Sequence, residues 1–193
     1  MTSFAELTGE TWPLFERLFG PGGVQGGCWC AFFRLPGPEF KRLGRDGRKE
    51  HVRGEADAGR PLGLLALVDG EPLGWVAVSP RPDNPRLKRS PIAATTVPAD
   101  VRVWSVTCFF VHRRGRRRGL GAELLSAAVD FAARGGAEAV EGYPVEVTGK
   151  RPGTDLYHGT VKMFLGAGFE VVERRGPGRA LVRRWLADAR RPG

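Results

Sequence analysis

The sequence has 193 residues, of which 41% are hydrophobic, and a formal net charge of +9 at pH 7. This length fits a single domain with a substantial core, and no apolar run approaches the roughly 20 residues that a membrane span needs. The N-terminal residues lack the basic and apolar segments of a secretion signal. Because three cysteines do not suggest the disulfide framework of a secreted domain, we expect a cytoplasmic protein with no membrane partner.

The first 60 residues are predicted to be mainly helical. Apolar residues recur at helical spacing between Glu10 and Phe19, and Gly20 is a natural end for that helix. Residues 38–59 predict a polar helix that is interrupted by glycines. The aromatic stretch between them, residues 27–37, is predicted to be a strand or an extended segment.

The rest of the chain predicts strands that alternate with helices. Two apolar runs flank Asp69-Gly70, a pair favoured in tight turns, and indicate a hairpin over residues 62–81. A proline-rich excursion follows up to residue 100. The later elements are a strand over 101–111, a helix over 119–134, a strand over 137–147, a short helix over 158–168 and a closing hairpin over 169–186. This order predicts an α/β fold, a mixed sheet with helices packed on it.

The stretch HRRGRRRGLGAELL, residues 112–125, links the strand 101–111 to the helix that follows it. The first backbone N–H groups of a helix have no partner inside the helix, and the helix dipole makes that end positive. Gly119 and Gly121 weaken the helix but let a ligand approach the backbone closely. Arginines surround the same point, so the stretch predicts an anion nest that holds a phosphate.

Two other interpretations of this stretch stay open, a solvated charge run and a nucleic-acid footprint. A helix that reads duplex DNA should carry polar and basic side chains along its exposed face. The helix 119–134 offers mainly alanine, leucine, serine and two acidic residues. No aromatic residues alternate with the arginines to stack bases. The phosphate nest is therefore favoured over a nucleic-acid partner.

A family resemblance follows from two segments. Residues 116–121, RRRGLG, resemble the R/Q-x-x-G-x-G/A loop of the GNAT N-acetyltransferases, and residues 164–169, FLGAGF, are similar to that family's late Y-x-x-x-G-F segment. The resemblance implies the GNAT fold, a mixed, mostly antiparallel central sheet with splayed strands flanked by helices. It also implies that residues 1–193 form one acetyltransferase domain. In that domain residues 1–60 are a helical region on the acceptor side, and residues 62–186 bind CoA.

The resemblance further implies an N-acetyltransferase that uses acetyl-CoA, without a metal, to acetylate a primary amine. The loop amides would bind the pyrophosphate, and the end of the strand 101–111 would hold the pantetheine arm and the thioester carbonyl. The residues expected to bind the cofactor are Phe109, Phe110, Val111, Arg116, Arg117, Arg118, Gly119, Leu120, Gly121, Ala122 and Phe164.

The usual proton-transfer residues of the family are missing from their places. Phe164 stands where many members have the tyrosine that protonates the leaving thiolate, and the strand 101–111 has no Asp or Glu that could act as a base. Tyr157 and Glu141 are the catalytic candidates instead. A packing role for Tyr157, a solvent-facing position for Glu141 and proton transfer through water stay open.

The segment Cys28-Trp29-Cys30 suggests a metal site, but the spacing is poor for zinc and no second cysteine pair exists. Buried free cysteines are favoured over a metal. We expect Trp29 and Phe33 to line the acceptor groove together with Trp75, for which a core position is the alternative. Residues 27–34 also resemble a GCWC-x-x-x-R signature of an uncharacterised actinobacterial-type subgroup of the GNAT family.

The acceptor is expected to be a small-molecule amine, and a homodimer is left open. One alternative is a GNAT enzyme that acts on a protein amine or an aminoacyl-tRNA, attracted by the positive surface. The other is a CoA-binding protein that has lost catalysis, since both usual proton-transfer residues are absent.

Overall fold

The computed structural model describes residues 1–147 and 157–186, which form one mixed sheet with helices on both faces. None of the described helices is long and apolar enough to span a bilayer. The elements in chain order are β1 (Thr2–Glu6), α1 (Trp12–Phe19), α2 (Gly37–Asp57), β2 (Gly63–Val68), β3 (Glu71–Pro80), β4 (Val103–Val111), α3 (Leu120–Arg134), β5 (Ala139–Gly142), α4 (Val161–Gly166), β6 (Glu170–Arg174) and β7 (Ala180–Trp185).

The strand order is β1-β2-β3-β4-β5-β7-β6. Every neighbouring pair is antiparallel except β4 and β5, which are parallel. A parallel pair needs a long crossover connection, and α3 supplies it. The predicted α/β fold with a mixed, mostly antiparallel sheet is confirmed.

The parallel strands β4 and β5 separate after only four paired positions. Val103 to Val106 pair with Ala139 to Gly142, whereas β4 continues to Val111 along its other neighbour, β3. The edge of β4 that faces β5 is therefore open from Thr107 onward. A bulge at Thr107 lies at the same place, because Val106 pairs with Val78 and Cys108 with Ala77. A bulge increases local twist and changes the direction of the strand.

Two apolar layers cover the sheet. Helices α3 and α4 bury side chains such as Leu124 and Phe164 against one face. Helices α1 and α2 bury Phe15 and Val52 against the other face, where Trp75 of β3 also lies. Three short 3-10 turns in the excursion 81–100 place Leu87 and Ala93 on a third, small cluster. The excursion is thus packed against the sheet, beside Tyr143 at the end of β5.

The structure corrects two predictions for the first 60 residues. Residues 2–6 form an edge strand paired with β2, so this region is not purely helical. Residues 27–37 consist mainly of turns instead of a strand, and Trp29 and Cys30 have positive φ angles of 47° and 57°. Packing of the Trp29 ring between Trp12 and Phe19 overrides the β propensity of this aromatic segment.

Candidate active site

The loop between β4 and α3 bends so that its amides converge. A 3-10 turn over Arg113–Gly115 is followed by two left-handed residues, Arg117 with φ 60° and Gly119 with φ 80°. Helix α3 begins at Leu120, as predicted. Left-handed residues that alternate with other conformations turn successive N–H groups toward one point, and such a concavity binds anions.

Some N–H groups of this loop are bonded to other described residues, and others are not. Those of Ala122 and Glu123 donate to the Gly119 carbonyl at 2.9 and 3.2 Å, and that of Arg116 donates to Arg113. Within the described chain, no acceptor is found for the N–H groups from Arg117 through Gly121. These donors lie at the positive end of α3, where an anion is stabilised by about 0.3–1 kcal/mol from the dipole alone.

Most arginines of the loop also keep their charge available. Arg114 pairs with Glu71 at 2.7 Å, and Arg116 donates its Nε to the Val111 carbonyl. Arg117 and Arg118 are exposed, and neither has a carboxylate within 4 Å among the described residues. Guanidinium groups and backbone amides therefore surround the same point, and we call residues 116–122 the nest.

The two glycines of the nest differ in their surroundings. A Cβ added to Gly119 would have Glu123 Oε1, at 3.9 Å, as its nearest neighbour. A Cβ on Gly121 would lie 3.3 Å from the Met163 sulfur on α4. Gly119 thus leaves the nest open, whereas Gly121 also allows α3 and α4 to approach each other.

From the nest, the open edge of β4 leads into a cleft of about 480 Å³ on the α1 and α2 face of the sheet. Phe110 and Cys108 of β4 line it, together with Cys28, Phe33 and Tyr157. The Phe109 side chain instead lies in the core, so only its backbone lies on the open edge of β4. A thin chain with amide groups could pair with this strand edge and extend from the nest to the cleft.

Tyr157 lies in the cleft, next to the thiols of β4 and the GCWC segment. Burial, followed by the neighbouring thiols of Cys108 and Cys28, raises the pKa of its phenol. The phenol is therefore protonated at neutral pH, and it can donate a proton to a group in the cleft. A protonated side chain in the cleft is one requirement for a general acid.

The three cysteines form a connected group in the wall of the cleft. Cys30 accepts from Trp75 Nε1 at 3.1 Å, and the Cys28 and Cys108 thiols are its neighbours. The neighbouring thiols and burial raise the pKa of the Cys28 and Cys30 thiols, which stay neutral at pH 7. In residues 1–147 and 157–186, no group of ligating side chains is arranged to hold a metal ion.

Three residues predicted to contact ligands lie in the core. Trp29 and Trp75 are 1% exposed and pack with Phe15 and Phe19, so they do not line the groove. Phe164 is 0% exposed, and its ring occupies the space above Gly142 that a Cβ would otherwise fill. The predicted cofactor contact of Phe164 and substrate contacts of the two tryptophans are therefore not supported. Phe33 does lie in the cleft.

Glu141 is also placed away from the cleft, in a buried ion cluster. Its Oε1 accepts from Arg183 at 2.7 Å and from Thr95 at 2.8 Å, and its Oε2 lies 3.6 Å from Arg81. The side chain is 0% exposed, which contradicts both a solvent-facing position and the predicted role as a general base. Two guanidinium groups lie beside the carboxylate, which links β5 to β7 and the excursion.

A second cleft, of about 430 Å³, shares Phe32, Phe33 and His158 with the first. Tyr143 lines it, with its hydroxyl 2.9 Å from Ser105 Oγ and accepting from Arg81 at 2.7 Å. Three arginines from distant parts of the sequence, Arg86, Arg89 and Arg179, also line it. Sequence reasoning did not select these arginines, because only the folded excursion and the start of β7 bring them together.

The open nest, the separated strands β4 and β5 and the adjoining cleft define an α/β protein whose surface could accept a long ligand with an anionic end. The sequence profile described as the acetyltransferase (GNAT) family matches residues 29–157. Because this match spans more than half of the chain, the protein belongs to the GNAT acetyltransferase family, and it is an N-acetyltransferase by that membership.

Solved structures share the fold of this chain. The chain is similar to a GNAT-family acetyltransferase from Streptococcus pneumoniae, with 17% identity, a TM-score of 0.56 and coverage of 97% of this chain and 100% of that one. It is also similar to a PaiA N-acetyltransferase from Thermoplasma acidophilum in complex with coenzyme A, with 12% identity, a TM-score of 0.54 and coverage of 96% of this chain and 99% of that one. A third similar structure is the aminoglycoside N-acetyltransferase AAC(6')-Iy in complex with CoA, with 15% identity, a TM-score of 0.55 and coverage of 91% of each chain. None of the curated proteins matches the sequence.

Proposed function

We propose that this protein transfers the acetyl group of acetyl-CoA to the primary amine of a small-molecule acceptor. The observation that carries the proposal is the row of unpaired N–H groups from Arg117 through Gly121, directly followed by the open edge of β4. A CoA molecule has a compact polyanionic end and a thin amide-bearing arm, which match these two features. Two of the neighbours described above were solved with CoA.

In this proposal residues 116–122 hold the diphosphate, and the edge of β4 from Thr107 to Val111 orients the arm by backbone hydrogen bonds. Acetyl-CoA supplies a thioester, whose C–S bond breaks as the acceptor nitrogen forms the C–N bond. A backbone N–H on the open edge would stabilise the carbonyl oxygen as it gains negative charge. The phenol of Tyr157 would give its proton to the departing sulfur, in place of the tyrosine that Phe164 replaces.

The acceptor amine must be neutral to attack. No Asp or Glu of the described chain lines either cleft. Arginines and apolar side chains disfavour an ammonium ion there, so the neutral amine is stabilised relative to water. The proton lost after attack would pass to solvent, and a dedicated carboxylate base is not required.

The proposal includes a cytoplasmic location and a single domain over residues 1–193. The three free cysteines support the location, because unpaired thiols close to one another persist in reducing compartments.

Two assays test this function together. Calorimetry with acetyl-CoA should show binding, and release of free CoA thiol should follow when members of a panel of primary amines are added. Binding without thiol release from any amine would favour a CoA-binding protein without catalysis. RNA binding that persists at saturating CoA would favour a macromolecular acceptor such as an aminoacyl-tRNA.

A further inference from the structure

The second cleft carries a charge pattern that selects among acceptors. It shares Phe32, Phe33 and His158 with the first cleft, and we call the two adjoining clefts, which extend from Cys108 on β4 to Arg179 before β7, the groove. Arg86 and Arg89 enter it from the excursion, and Arg179 enters from the turn before β7. No carboxylate among the lining residues of the described chain offsets these three charges.

Among the described residues, these arginines differ from others near the groove in having no acidic partner. Arg81 lies beside Glu141, Arg34 pairs with Glu55, and Arg175 pairs with Glu173. In residues 1–147 and 157–186, no carboxylate oxygen lies within 4 Å of Arg86, Arg89 or Arg179. Their charges therefore stay available to a ligand in the groove.

Arg86 is held in place through its Nε and two aromatic rings, and its outer nitrogens donate to no acceptor among the described residues. Its Nε donates to the Leu35 carbonyl at 2.8 Å, and its guanidinium lies 4.0 Å above the Phe32 ring and 4.8 Å from that of Phe40. Burial, followed by the neighbouring charge of Arg48, lowers the pKa of Arg86. An anion beside it would relieve both effects. A guanidinium that is fixed in this way can bind an oxyanion through two parallel hydrogen bonds.

The groove also offers an apolar surface. Phe32 is 45% exposed, which is unusual for so large an apolar side chain, and Phe33 meets it edge-on at 5.0 Å. Ile92 and Ala93 line the same groove. A ligand with an apolar or aromatic body would cover this surface, at about 25 cal/mol for each Å² of apolar area removed from water.

We propose that the acceptor is an amine that carries an oxyanion, a carboxylate or a phosphate, on an apolar body, and that Arg86, Arg89 and Arg179 bind this oxyanion. A polycationic acceptor is disfavoured, because the described groove offers cations and no carboxylate to receive it. This inference rests on the proposed function, since it assigns the oxyanion of the acceptor to the end of the groove that lies away from the proposed thioester position.

Direct binding tests the inference without requiring turnover. The dissociation constants of 3-phenylpropionate, phenyl phosphate, the neutral 3-phenylpropionamide and the polycation spermidine are measured by calorimetry with CoA present at saturation. At least one of the two anions should bind tenfold or more tightly than the amide, and spermidine should bind more weakly than either anion. Whichever anion binds more tightly identifies the oxyanion.

The variants Arg86→Gln, Arg89→Gln and Arg179→Gln should each reduce the preference for the anion over the amide, and the pair Arg89→Gln and Arg179→Gln should remove most of it. Arg89 is exposed, so its replacement keeps the test valid if Arg86→Gln does not fold. Lys88→Gln is the matched control, because Lys88 carries the same charge on the same turn and does not line the groove. It should leave the preference unchanged.

Equal binding of anion and amide by the wild-type protein would overturn the inference, as would tighter binding of spermidine. Anion selectivity that Lys88→Gln reduces as much as Arg179→Gln would also overturn it, because the effect would then come from the general surface charge. Failure of acetyl transfer is seen separately, as absent thiol release from amines while the anion preference remains.

Discussion

The proposed role of Tyr157, a side chain of the cleft, is to protonate the departing thiolate. Tyr157→Phe should reduce kcat by about 100-fold or more, the usual contribution of a general acid, with the dissociation constant of acetyl-CoA little changed. Because burial raises the pKa of Tyr157, its acid form persists as the pH rises past the ordinary tyrosine value of about 10. The wild-type rate should therefore fall only at higher pH, and the variant should lose this alkaline decline.

Tyr143→Phe is the control for this experiment. Tyr143 is the other tyrosine of the chain, and its hydroxyl is buried and bonded to Ser105 and Arg81. Its replacement should lower stability but keep the alkaline decline of the rate. An unchanged kcat in Tyr157→Phe would mean that the thiolate leaves without this acid.

A substitution at Glu141 distinguishes a structural role of its carboxylate from a catalytic one. Glu141→Gln leaves Arg183 and Arg81 without their buried anion, and the free energy of unfolding should fall by about 3–5 kcal/mol. The control is Glu6→Gln, which removes a solvent-exposed pair with Arg134 and should cost no more than about 1 kcal/mol. Thermal or urea unfolding measures both changes. Unchanged stability together with lost turnover would restore Glu141 as a general base.

At the scale of elements, the forked strands β4 and β5 depend on close packing of Phe164 against Gly142. A Cβ on Gly142 would lie 2.3 Å from Phe164 Cε1, so Gly142→Ala should destabilise the protein by about 1–3 kcal/mol. Gly54→Ala in α2 is a control of opposite sign. A Cβ there meets nothing within 4 Å, and the change should add up to about 1 kcal/mol. Equal effects of the two substitutions in urea unfolding would contradict this packing.

The elements also show what local sequence can and cannot predict. Asp69-Gly70 and the apolar runs beside it predicted the β2–β3 hairpin, and the helical face from Leu120 to Ala132 predicted α3, because both signals are contained in neighbouring residues. Strand β1 was missed, since five residues at a sheet edge with little burial show no clear alternation. The aromatic stretch 27–37 was misassigned because distant rings determine its turns.

The candidate site also has parts that local sequence predicts and parts that it does not. The nest is continuous in sequence, and glycines and arginines at the start of a helix were enough to predict it. Burial of Trp29, Trp75 and Phe164 depends on which face of the sheet each side chain meets, which local pattern does not reveal. The arginine end of the groove joins residues more than 90 positions apart, Arg86 and Arg179. Such a cluster is visible only after folding.

At the scale of the whole molecule, arginines gather at two places, three in the nest (Arg116, Arg117 and Arg118) and three in the groove (Arg86, Arg89 and Arg179). Charge of one sign that is focused in this way speeds the arrival of anionic ligands. Both components of the proposed reaction would then be anions. The absence of a basic stripe along α3 is consistent with a small ligand rather than a polynucleotide.

The central claim is that the amides of the nest bind the diphosphate of CoA, and calorimetric titration of CoA into Gly119→Asp and Gly119→Asn tests it most directly. Both side chains have nearly the same shape and tolerate the left-handed conformation of Gly119, so they differ mainly in charge. Gly119→Asn should bind CoA at least tenfold more tightly than Gly119→Asp, a difference of about 1.4 kcal/mol or more. Equal CoA affinities in the two variants, both close to that of the wild type, would contradict the account.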